Sequence, residues 1–260
     1  MSNHFLIRGD AFNILPKISA KVDTVIVDPP YNTANKNTKK LKGRKNRSSD
    51  FGEWDYFSDN EYLVFSKKWL EMTSPILKSN GNLIIFSKLE YVSDIKRIYE
   101  NQGFRHHATI IWHKTNPAPQ IRKTGFLSSC EAILWATKGF DDEKISYTFN
   151  FTKQSEMHNF IETPICMGNE RTKHPTQKPE KVIEKLINIF TNERDLILDC
   201  FAGSGTTSAV AAKLKRRSIS IEKDPNFFSI MHERMKNNPE LSQDLKVIRV
   251  QKNLARIKFN

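Results

Sequence analysis

Short apolar runs bounded by turn residues alternate along the chain with segments of helical periodicity. The runs predict seven strands, at residues 5–8, 24–27, 83–87, 109–112, 132–136, 196–198 and 218–221. Apolar residues at helical spacing predict six helices, at residues 11–18, 59–77, 91–101, 180–190, 207–214 and 226–237. Strands that alternate with helices form a mainly parallel sheet covered on both faces, so the pattern predicts an α/β fold.

Two stretches depart from this pattern. Residues 36–47, KNTKKLKGRKNR, carry seven basic and no acidic side chains, which predicts a loop. Residues 114–176 contain Asn-Pro and Thr-Pro steps and few periodic segments, and long irregular insertions commonly serve function. We therefore divide the chain into one half of a domain, an insertion, and the second half of the same domain, at residues 1–113, 114–176 and 177–260.

Composition narrows the class of protein. Hydrophobic residues make up 38% of the 260 residues and aromatic residues 10%, which is enough for a packed core. No run reaches the roughly 18 apolar residues of a membrane helix, and the N-terminus lacks the apolar segment of a signal peptide. Three well-separated cysteines fit neither a zinc site nor a disulfide framework. These features predict a soluble cytoplasmic protein.

The charge balance points to a polyanionic partner. Forty-one Lys and Arg residues against 29 Asp and Glu residues leave a net charge of +12. Such a surplus suits nucleic acid, because each Lys or Arg beside a phosphate releases condensed counterions. A basic soluble protein without such a partner fits the charge alone equally well.

A glycine-rich turn, DCFAGSGTT at residues 199–207, follows the predicted strand at 196–198. Gly203 and Gly205 let the backbone turn tightly and approach a ligand. Glu222 ends the next predicted strand, where a carboxylate can accept the hydroxyls of a ribose. The spacing therefore predicts a site for a nucleoside-containing cofactor.

The same turn does not fit the common phosphate-binding motifs. A P-loop has lysine after its second conserved glycine, where this chain has Thr206. A dinucleotide fingerprint has glycine or alanine where this chain has Ser208. We therefore expect a cofactor without phosphate groups.

A second motif follows the buried strand at 24–27, which ends in Asp28, Pro29, Pro30 and Tyr31. Two consecutive prolines cannot continue a sheet ladder, so the chain turns away at the carboxyl edge of the sheet. The Asp28 carboxylate and the Pro29 carbonyl are acceptors, and Tyr31 offers an aromatic face. A base with an exocyclic amine has two N–H donors and a planar ring, which these features match.

The two motifs resemble those of the β-class DNA amino-methyltransferases, and the chain is similar to the MboII-type adenine methyltransferases of that class. DPPY corresponds to motif IV of the family, FAGSGTT to motif I, SIE at 220–222 to motif II and HPTQKP at 174–179 to motif X. DPPY precedes FAGSGTT here, which is the circularly permuted order of the β class. The resemblance implies a Rossmann-like fold that binds S-adenosylmethionine and modifies adenine N6.

The resemblance also implies roles for individual residues. Asp10 and Ala11 would contact the adenine ring of the cofactor, Glu222 its ribose hydroxyls, and Lys178 beside Pro179 its carboxylate. The methionine end would lie against the glycine-rich turn, formed by Phe201, Ala202, Gly203, Ser204, Gly205, Thr206 and Thr207. Methyl transfer from a sulfonium needs no Lewis acid, so no metal is expected.

The partner implied is double-stranded DNA in a bacterial cytoplasm, within a restriction-modification system. A homodimer and a restriction endonuclease that acts separately are family-level expectations. Predicted DNA contacts lie in the basic loop and in the insertion, where Gln120 and Arg171 are further candidates: Lys36, Lys39, Lys40, Lys42, Arg44, Lys45, Arg47, Arg122 and Lys123.

Alternative functions remain open from the sequence. A cytosine-N4 methyltransferase shares this geometry but more typically has serine in place of Asp28. RNA or protein methyltransferases of the same fold more often have asparagine there. A DNA-binding protein without activity fits less well, because DPPY and FAGSGTT are both intact. A nicotinamide dehydrogenase is disfavoured by Ser208 and by DPPY.

Overall fold

The computed structural model describes residues 3–32, 57–121, 123–139, 146–237, 244–249, 256–257 and 259. Its strands are β1 (His4–Arg8), β2 (Val22–Val27), β3 (Leu77–Ser87), β4 (Phe104–Lys114), β5 (Cys130–Lys138), β6 (Phe160–Thr163), β7 (Leu196–Asp199), β8 (Arg217–Glu222) and β9 (Leu245–Arg249). Its α-helices are α1 (Ala11–Ile14), α2 (Asp59–Thr73), α3 (Val92–Glu100), α4 (Glu180–Phe190), α5 (Thr206–Lys213) and α6 (Pro225–Lys236).

The described strands form one sheet in the order β6-β4-β5-β3-β2-β7-β8-β1-β9. Neighbouring strands run parallel except where β5 pairs with β3 and with β4, which are antiparallel pairs. The predicted mainly parallel α/β fold is confirmed. Because β2, β7, β8 and β1 are adjacent and parallel, the residues that follow them meet at one edge of the sheet.

Alternating side chains of the central strands pack on opposite faces of the sheet, as the two-residue period of a strand requires. Val25 and Val27 face α2 and α3, whose buried Trp69 and Tyr99 belong to the same core. Ile26 faces the other side, together with the apolar side chains of α4 and α5. A third hydrophobic cluster packs α6 against the sheet. Phe228, Met231 and Met235 of α6 meet Leu6 and Ala202 there.

All seven predicted strands are present, and two further strands were missed. β6 has only four residues, and the pattern of β9, LKVIR, is a single alternation. Both β5 and β6 belong to the segment assigned to an insertion, at residues 114–176, and β5 lies between β3 and β4. That segment is therefore built into the sheet, and its role in DNA recognition stays a prediction.

Two predicted helices are too long. α2 ends at Thr73, with Ser74 as its C-cap, because the following Pro75 cannot continue the helix. α1 ends at Ile14 and passes into a 3₁₀ turn that contains Pro16. The N-terminus of α2 is well defined, since Ser58 and Glu61 form a capping box. None of the described helices is long and apolar enough to cross a membrane.

Candidate active site

The carboxyl ends of four adjacent strands surround a cavity of about 1540 Å³. The strands β2, β7, β8 and β1 deliver, respectively, the DPPY turn, the glycine-rich turn, Glu222 and Asp10 to this edge. Open α/β sheets bind their ligands at this edge. The structure thus brings both sequence motifs, which begin at residues 28 and 199, to the same cavity.

The DPPY turn places a carboxylate and a phenol side by side. The Tyr31 hydroxyl donates to Asp28 Oδ1 at 2.5 Å and lies 3.1 Å from Glu131 Oε2. Asp28, Pro29, Pro30 and Tyr31 all line the cavity. The predicted catalytic residues therefore lie together at its wall.

A row of alternating charges extends from Asp28. Lys178 Nζ lies 2.5 Å from Asp28 Oδ2 and 3.3 Å from Glu131 Oε2, and Lys114 Nζ lies 2.8 Å from Glu131 Oε1. The Lys178 side chain is only 7% exposed. Its ammonium also lies over the ring of Tyr31, 5.0 Å from the ring centroid. The sequence did not reveal Glu131 or Lys114, because neither belongs to a recognised motif.

The structure places Lys178 against the catalytic turn. Its ammonium pairs with the carboxylates of Asp28 and Glu131, and its contact with the cofactor carboxylate stays a prediction. The backbone of Lys178 contacts the glycine-rich turn, because the Thr206 hydroxyl donates to the Lys178 carbonyl at 3.1 Å. Pro179 follows as the N-cap of α4. Lys178 therefore connects the two motifs.

The row changes the acidity of its members. Burial raises the pKa of Asp28, the Glu131 carboxylate adds to this effect, and Lys178 and Tyr31 oppose it. Burial alone would raise the pKa of Glu131, but Lys178 and Lys114 outweigh burial and hold that pKa below its usual range. Burial alone would lower the pKa of Lys178, but Asp28 and Glu131 outweigh it, and the pKa lies above its usual value. Lys178 is therefore an ammonium at neutral pH.

The glycine-rich turn has the backbone that its sequence predicts. Gly203 and Gly205 adopt φ values of +51° and +76°, in the left-handed region that favours glycine. The Gly203 N–H donates to Glu222 Oε2 at 2.7 Å. The His174 ring packs so closely on Gly203 that a Cβ there would lie 2.8 Å from Nε2. Glu222 and His174 thus hold the turn at Gly203.

Two carboxylates stand at the predicted nucleoside end of the cavity. Glu222 accepts from the backbone N–H groups of Gly203 and Asp224, each at 2.7 Å. Asp10 caps α1 by accepting from the Phe12 N–H, and it pairs with Lys223 at 2.8 Å. An ionised carboxylate has about four acceptor sites, so both side chains retain capacity for a ligand's hydroxyl or amine.

Other residues predicted to bind the cofactor have well-defined packing partners. Phe201 contacts the ring of Trp69 edge-on, with centroids 5.7 Å apart. Asp199, which precedes the turn, is buried, and burial raises its pKa to about 7. The remaining predicted residues of the turn that line the cavity are Ala202, Ser204, Thr206 and Thr207, with Ala11 beside Asp10.

The close packing of the turn gives a prediction about stability. A Cβ at Gly205 would lie 2.5 Å from Met231 Cγ, in addition to the strain of φ +76°. We expect Gly205→Ala to destabilise the protein by about 2–4 kcal/mol, combining left-handed strain with overpacking. Gly103→Ala is the control, because Gly103 has φ +81° but no atom near its Cβ position. Urea denaturation should show a clearly smaller loss for the control; equal losses would contradict the clash.

The predicted DNA contacts are only partly described. Lys36, Lys39, Lys40, Lys42, Arg44, Lys45, Arg47 and Arg122 lie outside the described residues. Lys123 is exposed and has φ +52°. It lies between Ile121 and Phe126, which are 80% and 101% exposed, and Phe126 also lines the cavity. An exposed apolar and basic segment therefore lies at the cavity rim.

The chain leaves and returns to the rim beside Tyr31. The Phe57 N–H donates to the Asn32 side-chain oxygen at 2.9 Å, which joins the two ends of the segment 33–56. Asn32 also donates to the Tyr91 hydroxyl at 3.0 Å. The described residues on either side of 33–56 therefore meet beside the DPPY turn.

Within the described ranges, no cluster of three or more His, Cys, Asp or Glu side chains is arranged to hold a metal ion. His174 is buried against Phe227, with ring centroids 4.2 Å apart. Burial lowers its pKa to about 4, so the ring is neutral at neutral pH. Its position beside Gly203 indicates that it supports the turn by packing.

Comparison with known proteins places these features in a family. Residues 22–233 match the DNA methylase family. The chain is 34% identical to the type II methyltransferase M2.DpnII of Streptococcus pneumoniae over 245 residues, which is 90% of each protein. It is 30% identical to the type II methyltransferase M.HinfI of Haemophilus influenzae over 258 residues, covering 94% of this chain and 71% of that protein.

Solved structures agree with this assignment. The M1.HpyAVI–SAM complex is 30% identical, with a TM-score of 0.70 over 89% of this chain and 98% of that one. The cytosine-N4-specific PvuII DNA methyltransferase is 19% identical, with a TM-score of 0.73 over 92% of this chain and 89% of that one, which is a likeness of fold. With a family match over most of its length and relatives at 30% identity or more, the chain belongs to the DNA methylase family.

Proposed function

We propose that this DNA methylase transfers a methyl group from S-adenosylmethionine to N6 of an adenine in double-stranded DNA. The observation that supports the proposal is the Asp28 carboxylate, which stands in the wall of the cavity next to the glycine-rich turn. An adenine amine has two N–H groups, and Asp28 together with the Pro29 carbonyl would supply an acceptor for each.

The residues of the cavity fit this cofactor. Gly203 lines the cavity whereas Gly205 packs against Met231 behind it, and Glu222 and Asp10 suit hydroxyl and amine donors. Carboxylates at both positions would repel a phosphate, which agrees with a ligand that carries none. When bound, S-adenosylmethionine supplies the methyl group and a sulfur leaving group.

The protein has to prepare the attacking nitrogen, because the amine lone pair is delocalised into the purine ring. Hydrogen bonds from the two N–H groups to Asp28 and Pro29 favour a pyramidal nitrogen whose lone pair points at the methyl group. Orientation of this kind contributes up to ~7–11 kcal/mol in the ideal case. The same acceptors stabilise the positive charge that develops on nitrogen.

An amine inside a duplex cannot reach this cavity, so the target base has to leave the helix. Tyr31 lines the cavity with its hydroxyl held by Asp28 and Glu131 and with Lys178 over one face of its ring, so the opposite face is proposed for stacking. Stacking on an aromatic side chain contributes ~1–3 kcal/mol per base. The exposed Ile121 and Phe126 at the rim suit the apolar contacts made by proteins that open a base stack.

A cytosine-N4 methyltransferase is the second candidate. Its substrate presents a similar exocyclic amine. The PvuII enzyme, which has this fold, is a cytosine-N4-specific methyltransferase. Asp28 favours adenine, since serine is more typical there in the cytosine enzymes. A carboxylate also accepts a hydrogen bond more strongly than a hydroxyl does.

Methylation of unmodified DNA with a radiolabelled cofactor, followed by nucleoside analysis, tests the proposal. We expect the label in N6-methyl-2′-deoxyadenosine and none in N4-methyl-2′-deoxycytidine. Label in N4-methylcytosine would select the second candidate, and label in RNA or protein alone would refute both. Sequencing the modified DNA would then identify the recognition site.

The proposed setting is a restriction-modification system in the bacterial cytoplasm. The net charge of +12 and the basic run at residues 36–47 favour sequence-independent attraction to the phosphate backbone. Recognition of the target sequence is proposed for residues 114–176, whose described loop carries Lys123 at the rim. A homodimer and a separate restriction endonuclease complete the proposal.

A further inference from the structure

Three further charged side chains, those of Lys178, Glu131 and Lys114, extend in a row from Asp28. Lys178 stands between Asp28 and Glu131, with Nζ–O distances of 2.5 and 3.3 Å, and Lys114 pairs with the far side of Glu131. Lys178 is buried and the other three side chains are 14–25% exposed. Removing charges from water is costly unless each is paired, and here every charge has an opposite neighbour. The role of the three further charges is the question that the contacts of Lys178 address.

We propose that Lys178 is a positioning residue that keeps the Asp28 carboxylate charged and fixes its orientation toward the target amine, and that Glu131 is the counter-charge that limits this effect. The inference deepens the proposed function and rests on the role of Asp28 as acceptor of the amine protons. It assigns Lys178 to the target base rather than to the carboxylate of the cofactor.

Lys178 is placed to fix the carboxylate group in two ways. Its ammonium engages Oδ2 while the Tyr31 hydroxyl engages Oδ1, so both oxygens are held and the carboxylate cannot rotate freely. Each oxygen retains a further lone pair for an N–H donor. The Lys178 side chain is itself fixed, since its ammonium lies between the rings of Tyr31 and Phe86, at 5.0 and 5.2 Å from their centroids.

Lys178 is also the cation that opposes neutralisation of Asp28. Burial raises the pKa of Asp28, and Glu131 on β5 adds to this effect, whereas Lys178 and the Tyr31 hydroxyl lower it. Asp199 on β7 also senses Asp28: burial raises its pKa to about 7, with a contribution from Asp28. A protonated Asp28 would offer a hydrogen to the target amine instead of a charge, so the loss of Lys178 would favour the inactive form.

Glu131 acts in the opposite direction. Its negative charge faces both Lys178 and the Tyr31 hydroxyl, and it shares the Lys178 ammonium with Asp28. Lys114 in turn neutralises Glu131 from β4. Removing the charge of Glu131 would therefore leave Lys178 with Asp28 as its main partner and strengthen the ionised form of Asp28.

The test compares Lys178→Met with Glu131→Gln in single-turnover methylation across pH, with cofactor and DNA saturating. Lys178→Met should be about 10-fold or more slower at pH 7. Its rate should recover as pH rises, because the acid limb of its profile moves to higher pH. Glu131→Gln should move the acid limb to lower pH.

Lys114→Met is the matched control, because it removes an ammonium from the same row that contacts Glu131 but not Asp28. Its acid limb should move less than that of Lys178→Met. Calorimetry should give a cofactor Kd for Lys178→Met within about 3-fold of the wild type, which is under 0.7 kcal/mol. If Lys178→Met does not fold, the direction of the Glu131→Gln shift still decides the inference.

Two results would overturn the inference. The first is an acid limb that does not move, or moves the same way, in Lys178→Met and Glu131→Gln. The second is weakened cofactor binding by Lys178→Met with an unchanged rate at saturation, which would return Lys178 to the cofactor carboxylate. The proposed function fails separately, through loss of adenine methylation in the wild-type assay or through an active Asp28→Ala.

Discussion

Asp28→Ala is expected to lower the single-turnover rate of adenine methylation by about 10²–10³-fold, the scale found when a group that stabilises transition-state charge is removed. The reason is that Asp28 is proposed to accept a hydrogen bond from the amine and to face the positive charge that develops on nitrogen. Radiolabelled methyl transfer under saturating conditions measures the loss. Near wild-type activity would show that the DPPY turn is not the catalytic site.

Binding measurements separate this loss from a loss of structure. Cofactor affinity should persist, because the glycine-rich turn and Glu222 belong to other strands. DNA affinity should also persist, since phosphate contacts dominate it. Asp28→Asn is the matched control: it keeps the shape and one acceptor but not the charge, so its rate should lie between those of wild type and Asp28→Ala. Equal rates for both variants would mean that the charge carries the whole effect.

Glu222→Ala should produce the second large effect, a loss of S-adenosylmethionine affinity of about 1.5–3 kcal/mol, the scale of hydrogen bonds to a charged group. The carboxylate holds the Gly203 and Asp224 N–H groups in addition to its predicted contact with the ribose. Its removal therefore loosens the turn and deletes a ligand contact. Isothermal titration calorimetry measures the change.

Glu222→Gln provides the control for this prediction. Its amide oxygen can still accept one of the two backbone N–H groups, while the charge and the second strong acceptor are lost. We expect an affinity between those of the wild type and Glu222→Ala. Unchanged affinity in a folded Glu222→Ala would remove this residue from the cofactor site and leave the glycine-rich turn as the remaining evidence for its position.

Much of the fold and site could be predicted because the relevant signals are local. Apolar runs mark the central strands, and DPPY and FAGSGTT each follow such a run, which places both at the carboxyl edge of a parallel sheet. The predicted family and fold are confirmed. The end of α2 was also readable in principle, since Pro75 lies within the predicted helix.

Glu131 was not predictable by the same rule. It lies at the beginning of β5, and β5 runs antiparallel to its neighbours, so its amino end meets the carboxyl ends of the parallel strands. Strand direction depends on long-range pairing and not on local spacing. For the same reason the partner of Lys178 could not be inferred, because 150 residues separate Lys178 from Asp28 along the chain.

The hydrogen bond between Phe57 and Asn32 joins the two described residues that flank residues 33–56. Because both residues are held beside the DPPY turn, a change of sequence or length between them need not displace Asp28 or Tyr31. Selection can therefore alter this part of the sequence while the proposed catalytic turn keeps its place.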